Sequence, residues 1–256
     1  MTQPNSLPLI VTGAASGIGA ETCRQLRAAG TAVIGVDRNE AQDFDGDFIR
    51  ADLSTPEGVD AVVSRLPERV AGLINIAGVP GTAPMELVLG VNVIGLRLLT
   101  EAVAPRIMED GVVVNLSSAV ADGWRADWAA TRDLAMARDP QDAVERAGGI
   151  TAGDSYRRSK EAVRFLTEYF AAQLVERHVR VVSVSPGPVS TPILEDFKND
   201  HGRAKVDSAA ELLGRFGRPE DIAAVVVFLA SPDAGWINGT DVRVDGGLNA
   251  WRSQNA

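Results

Sequence analysis

The chain has 256 residues, 45% hydrophobic and 23% charged, which suits one sizeable α/β domain with a full core. A net charge of −9 with no basic run argues against a nucleic-acid partner. The single cysteine, Cys23, precludes an internal disulfide and suits a reducing cytoplasm, and with only His178 and His201 beside it no metal site at ligand spacing is expected.

Met1-Thr2-Gln3-Pro4-Asn5-Ser6 has no basic region ahead of an apolar one, so no signal peptide is expected. The longest apolar run, Ile222 to Ala230, is too short for a bilayer, so no membrane partner is expected either. No internal repeat, low-complexity segment or linker divides residues 1–256, which are read as one domain.

Leu7-Pro8-Leu9-Ile10-Val11 reads as a buried strand. Thr12-Gly13-Ala14-Ala15-Ser16-Gly17-Ile18-Gly19 follows, then a helix from Ala20 to Ala29. Strand, glycine-rich turn and helix is the arrangement that sets backbone N–H groups against a pyrophosphate, although the spacing here is Gly-x-x-x-Gly-x-Gly. The second strand, Thr31 to Val36, ends on Asp37. A carboxylate there accepts hydrogen bonds from an adenosine ribose and repels a 2′-phosphate, which predicts NAD over NADP; the following Arg38 weakens that inference, since it can hold such a phosphate.

Phe48-Ile49-Arg50-Ala51 is a short third strand leading to Asp52-Leu53, and residues 56–65 read as a helix capped by Ser54 or Thr55. Val70 to Ile76 is a fourth strand, closing on Ala77-Gly78. Apolar strands alternating with helices predict a parallel, doubly wound sheet. Residues 84–108 read as mostly helical, with Pro105 a kink or end. Asn92 within them is either a satisfied core amide or a working one. Gly111 to Leu116 is a fifth strand, with Ser117-Ser118 at its carboxyl end, where open α/β sheets bind ligands.

Tyr156-Arg157-Arg158-Ser159-Lys160 places a tyrosine and a lysine one helical turn apart. A phenol keeps its proton to about pH 10, and a nearby cation favours the phenolate, so the pair is a candidate general acid/base. The helix is expected to run to about Arg177, followed by a strand from Val179 to Val184 that Pro186-Gly187-Pro188 terminates. A helix at 219–229 and a last strand at Asp241 to Val244 complete the chain.

Taken together, Thr12-Gly13-x-x-x-Gly17-x-Gly19, Asp52-Leu53, Asn75-x-Ala77-Gly78, Asn92, Ser118, Tyr156-x-x-x-Lys160 and Pro186-Gly187 resemble the short-chain dehydrogenase/reductase family, in order over nearly the whole chain. The resemblance implies a Rossmann fold with a seven-stranded parallel sheet binding a nicotinamide cofactor, which Asp37 predicts to be NAD. It implies Tyr156 as the acid/base, Lys160 as the lysine that holds the nicotinamide ribose, Ser118 rather than Ser117 as the residue orienting the substrate oxygen, and Asn92 as support for a proton relay behind the lysine. By the same likeness, Gly13, Ser16, Gly17, Ile18 and Gly19 surround the pyrophosphate, Asp37 and Arg38 meet the adenosine ribose, and Asp52 and Leu53 the adenine. Ala77 and Gly78 pass near the riboses, while Pro186, Gly187, Val189 and Thr191 surround the nicotinamide. Residues 191–215 match the family's substrate lid, and family members are usually homodimers or homotetramers.

Three departures from the family pattern stand out. The usual Asn-Asn-Ala-Gly is here Asn75-Ile76-Ala77-Gly78, and the interval from Asn75 to Asn92 is shorter than in most members. That from Ser118 to Tyr156 is longer, with about 25 residues inserted, too many for a plain loop. The inserted segment, roughly 122–153, reads as two short helices at 126–137 and 140–147. Its Trp124 and Trp128 either line a substrate mouth or pack the extra helices onto the domain. Such an insertion resembles the subgroup of 3α-hydroxysteroid dehydrogenase/carbonyl reductase, and coniferyl-alcohol dehydrogenases share it. The expected substrate is a bulky apolar secondary alcohol or its ketone, a 3α-hydroxysteroid first. The alternatives are a coniferyl or terpenoid alcohol, or a non-catalytic NAD-binding scaffold.

Overall fold

The structure, a computed structural model, describes residues 7–41 and 44–255; the Met1–Ser6 segment lies outside them. Strand β1 (Leu9–Thr12) is buried at every position, as a strand covered on both faces must be. After it come α1 (Gly17–Ala28), β2 (Val33–Asp37), β3 (Asp47–Arg50), α2 (Pro56–Val63) and β4 (Val70–Asn75). Thr55 caps α2, its hydroxyl accepting from the Gly58 N–H at 3.1 Å.

The expected helix over 84–108 is three pieces: α3 (Met85–Leu89), a π-helical turn at Gly90–Gly95 and α4 (Leu96–Val103). Pro105 lies in a short 3-10 turn, Ala104–Arg106, and β5 (Ile107–Leu116) starts directly behind it. The strand therefore takes four residues that periodicity assigned to helix or loop, because proline supplies no N–H to continue the helix. Met85–Arg106 is long and apolar enough to cross a membrane, but 78% of its apolar window is buried inside the domain.

Next come α5 (Trp128–Ala135) and α6 (Pro140–Arg146), close to the two short helices expected in the inserted segment. Then follow α7 (Ala152–Leu174), β6 (Arg180–Pro186), α8 (Leu194–His201), α9 (Arg203–Leu213), α10 (Pro219–Ala230), β7 (Thr240–Val244) and α11 (Leu248–Gln254). Helix α11 has no counterpart in the sequence reading, which stopped at the last strand.

The seven strands pair in parallel in the order β3-β2-β1-β4-β5-β6-β7. This is the expected Rossmann-type sheet. Alternation along each strand divides two cores. Leu73, Val113 and Val181 point to the face covered by α2, α4 and α7, whereas their neighbours Ile74, Val114 and Val182 point to the face covered by α1 and α10. Each such buried aliphatic side chain stabilises the fold by roughly 1.5–3 kcal/mol.

A line of buried amides crosses the first of these cores. Asn75 Nδ2 donates to Asn115 Oδ1 at 2.9 Å, and Asn115 Nδ2 donates to Thr167 Oγ1 at 3.0 Å, pinning β4 and β5 to α7. The strand order reverses between β1 and β4, and the crevice at their carboxyl ends is where such sheets take ligands.

Candidate active site

The crevice begins where β1 and β4 end. The Thr12 hydroxyl accepts from the N–H groups of Ile76 at 3.0 Å and Ala77 at 3.1 Å, locking the two strand ends together. Gly13 has φ +73°, and a Cβ there would stand 2.9 Å from the Ala77 nitrogen. A Cβ on Gly19 would stand 2.0 Å from the Gly13 carbonyl oxygen, so the turn and the first turn of α1 close only with glycine at both positions. Ser16, at the N-cap of α1, makes no side-chain cap bond, and the first turn carries no acidic residue. Its N–H groups and the helix dipole thus remain available to an anion.

A groove of about 210 Å³ runs along this edge, lined by Gly13, Ser16, Gly17, Ile18, Gly19, Asp37, Arg38, Asp52, Leu53, Ala77, Gly78 and Thr191. Asp37 is held in place from two sides: its carboxylate accepts from the N–H of Ala15 at 3.1 Å and of Asn39 at 2.9 Å. A glycine cradle, a free helix N-terminus and a fixed carboxylate at the tip of β2 fit an adenine dinucleotide.

Against the groove lies a cavity of about 500 Å³. Gly78, Leu116 and Thr191 line both, so the two share a wall. Ser118, Tyr156 and Lys160 form part of its lining, with Pro186, Gly187 and Val189 beside them. All three of the former are buried, at 8%, 7% and 4% exposure. Tyr156 and Lys160 sit one turn apart on α7, as their spacing predicts.

The Lys160 ammonium donates to the Leu116 carbonyl at 2.8 Å and stands 5.8 Å from the centre of the Tyr156 ring. Burial disfavours its charged form and brings its pKa down to about 8. Ser117 donates its hydroxyl to the Lys160 carbonyl at 2.9 Å, fastening β5 to α7. Ser118 has β-region backbone at the strand end, and the N–H of Val120 lies 3.5 Å from its hydroxyl.

Asn92 lines neither space. Its Oδ1 accepts from the Val79 N–H at 2.9 Å, while Nδ2 donates to the Val79 carbonyl at 3.1 Å and to Ser159 Oγ at 3.0 Å. The side chain is thus a satisfied amide that clamps the loop after β4 to α7. It lies within the π-helical turn, a distortion that often marks functional sites.

The tryptophans of the inserted segment do not line the cavity. Trp124 is 6% exposed and belongs to the core; Trp128 packs edge-on against Phe165 of α7, with ring centres 5.8 Å apart. Among the described residues, the segment reaches the cavity at Gly153, with Ala119, Val120 and Asp154 flanking its two ends. The start is fastened through Asp122, whose carboxylate meets Arg164 at 3.1 Å, Arg243 at 2.6 Å and Asn249 at 3.0 Å.

Residues of the 191–215 segment expected as a lid line the cavity, Phe197 of α8 lying against Tyr156; α11, which was not foreseen, contributes Leu248, Asn249 and Arg252. A signal for α11 exists in Asp245-Gly246-Gly247: the Asp245 carboxylate accepts from the N–H groups of Gly247 and Asn249, both at 2.9 Å, as a capping residue does.

Comparison with known proteins agrees with this geometry. Residues 8–130 match the family model for short chain dehydrogenases, and residues 143–249 match that described as enoyl-(acyl carrier protein) reductase. The chain is 41% identical to the coniferyl-alcohol dehydrogenase of Pseudomonas sp. (strain HR199 / DSM 7063), over 94% of this chain and 95% of that one. It is 30% identical to the 3-alpha-hydroxysteroid dehydrogenase/carbonyl reductase of Comamonas testosteroni, over 94% and 96%. The crystal structure of the 3-alpha-hydroxysteroid dehydrogenase from Pseudomonas sp. B-0831 complexed with NADH superposes with a TM-score of 0.81 at 33% identity, covering 97% of this chain and 99% of that one. The chain therefore belongs to the short-chain dehydrogenase/reductase family, as an oxidoreductase of the alcohol dehydrogenase type.

Proposed function

We propose that the protein is an NAD-linked dehydrogenase of a bulky, largely apolar alcohol and the corresponding carbonyl compound, working in the cytoplasm as a homodimer or homotetramer. The observation that carries the reading is the convergence of Ser118, Tyr156 and Lys160 on one cavity that shares a wall with the dinucleotide-shaped groove. A nicotinamide bound there would supply the hydride acceptor or donor. The chain's own residues manage the oxygen and its proton. Ser118 holds the substrate oxygen by hydrogen bonding, Tyr156 takes its proton in oxidation and returns one in reduction, and the Lys160 cation favours the phenolate. Asn92 acts at one remove, as a positioning residue that sets α7 against the loop after β4.

NAD rather than NADP rests on Asp37, fixed by two backbone N–H groups where a ribose 2′-substituent would come. Coniferyl-type aromatic alcohols now stand ahead of 3α-hydroxysteroids as substrates to test, because the similarity to a coniferyl-alcohol dehydrogenase, 41%, exceeds that to either steroid enzyme, 30% and 33%. Both would present an apolar body to Val189, Ile193 and Val206 of the cavity wall.

The test is NADH formation on mixing the protein with NAD and coniferyl alcohol, cinnamyl alcohols, monoterpene alcohols, 3α-hydroxysteroids or short secondary alcohols, each repeated with NADP. A NAD-linked signal confined to a bulky class supports the reading. Turnover of short alcohols alone, or with NADP alone, contradicts it.

A further inference from the structure

The cavity has a buried floor and a charged mouth. Ser118, Tyr156 and Lys160 lie at the floor, while Lys205 of α9 is exposed and Arg252 of α11 half-buried at the rim. Arg252 reaches across to α9, its guanidinium lying 3.4 Å from the Lys205 backbone carbonyl, and both residues line the same cavity.

The other charges near this opening are already matched. Asp154 meets Arg157 at 3.1 Å, Arg157 also meets Glu161 at 2.8 Å, and Arg158 meets Glu161 at 3.0 Å, a closed set of two acids and two bases. On the lid, Glu195 pairs with Lys198 and Arg203, and Asp207 with Lys198. Among the described residues no carboxylate comes within ion-pair distance of Lys205 or Arg252. Two cationic residues without a carboxylate partner on one cavity stand out in a chain of net charge −9. A guanidinium has five N–H donors in a fork that suits a carboxylate, and an ammonium beside the same opening adds a second positive charge.

From this juxtaposition we propose that the preferred substrate is an alcohol with an apolar body and a carboxylate at the end remote from the hydroxyl, the carboxylate being held by Arg252 and Lys205. The inference rests on the dehydrogenase reading for the position of the hydroxyl end, but not for the anion site itself. It also separates this chain's preferred substrate from a neutral alcohol such as coniferyl alcohol.

Matched pairs test it: a 3α-hydroxysteroid ending in a side-chain carboxylate against its methyl ester, and 4-carboxycinnamyl alcohol against its methyl ester. Turnover with NAD and calorimetric binding to the NADH-loaded protein are both measured at low and high salt. The expected result is a preference for the acid of at least about tenfold that shrinks with salt. Arg252→Gln and Lys205→Gln should each bring the acid-to-ester ratio down, and Arg252→Lys should keep more of it than Arg252→Gln. Lys205→Gln retains the backbone carbonyl that Arg252 approaches, so it reads charge without removing that contact. Equal handling of acid and ester, or a preference that survives both glutamine variants, overturns the anion site. Failure to turn over any of the four compounds, with acid still bound in preference to ester and that preference lost in the variants, upholds the anion site and overturns the reaction reading instead.

Discussion

The ring of Phe197 on α8 stands edge-on against the ring of Tyr156 on α7, with centres 5.0 Å apart and planes at 60°. Helix α8, on the cavity wall, is therefore in direct contact with the phenol proposed to exchange the proton. Edge-to-face pairs are worth about 0.5–1.5 kcal/mol beyond their area, which corresponds to about two- to tenfold in a rate constant. Phe197→Ala is expected to lower kcat/KM by that factor and to leave NADH affinity, read by fluorescence titration, as it was. An unaltered kcat/KM would show that the ring contact has no part in holding Tyr156.

Lys160 carries a charge that the fold disfavours. In the unfolded chain its pKa is near the usual lysine value, 10.5, and in the folded chain about 8. Between those values the unfolded state binds more protons, so this group's contribution makes the protein more stable as pH rises through that window. At neutral pH the buried cation costs on the order of 3 kcal/mol. Cofactor-free Lys160→Met should therefore melt at a higher temperature than the native protein at pH 7, the gain reduced by the orphaned Leu116 carbonyl and shrinking as pH rises above 8. Calorimetric melting from pH 6.5 to 9.5 reads this, and a variant less stable than native across the range would contradict it.

The carboxylate of Asp37 is the feature on which the proposed NAD preference rests. Asp37→Ala removes the group that repels a 2′-phosphate while leaving Arg38 beside the groove. The ratio of kcat/KM with NAD to that with NADP should fall by at least about tenfold, one close charge contact being worth about 1.4 kcal/mol or more. An unchanged ratio would remove Asp37 from cofactor choice.

Trp128 tests the part assigned to the inserted helices. Its ring packs on Phe165 away from the cavity, and it remains 45% exposed. Trp128→Ala is expected to destabilise the protein by roughly 1–2 kcal/mol, the ring pair plus partial burial, without altering KM for the alcohol. A raised KM at unchanged stability would return this residue to the substrate mouth.

The placement of the candidate site was legible in part from local geometry: the Gly13 to Gly19 turn, the helical spacing of Tyr156 and Lys160 and the strand-end position of Ser118 are short-range features, which the sheet brings to one edge. Their proposed roles came from family likeness. What escaped depends on long-range contact. Nothing around residue 197 in sequence says that its phenylalanine meets Tyr156, and Arg252 acquires its place only when α11 folds back against α9. The choice between Ser117 and Ser118 came from family likeness; physically it reflects pleat alternation, since Ser117 turns its hydroxyl to α7. Pro105 marked the end of the long helix, but the start of β5 directly behind it was hidden by Met108-Glu109-Asp110, whose polar residues do not read as a strand. The tryptophans of the insertion were ambiguous because aromatic content alone does not distinguish a pocket wall from a packing face.

Tyr156 is proposed to exchange the substrate proton beside a bound dinucleotide. The most direct test is NADH absorbance during oxidation of the best alcohol by the native protein and by Tyr156→Phe, with NADH affinity measured in both. The expected result is a loss of turnover of about 10²–10⁴-fold with cofactor affinity retained. Turnover at the native rate, or loss of NADH binding in the variant, would contradict it.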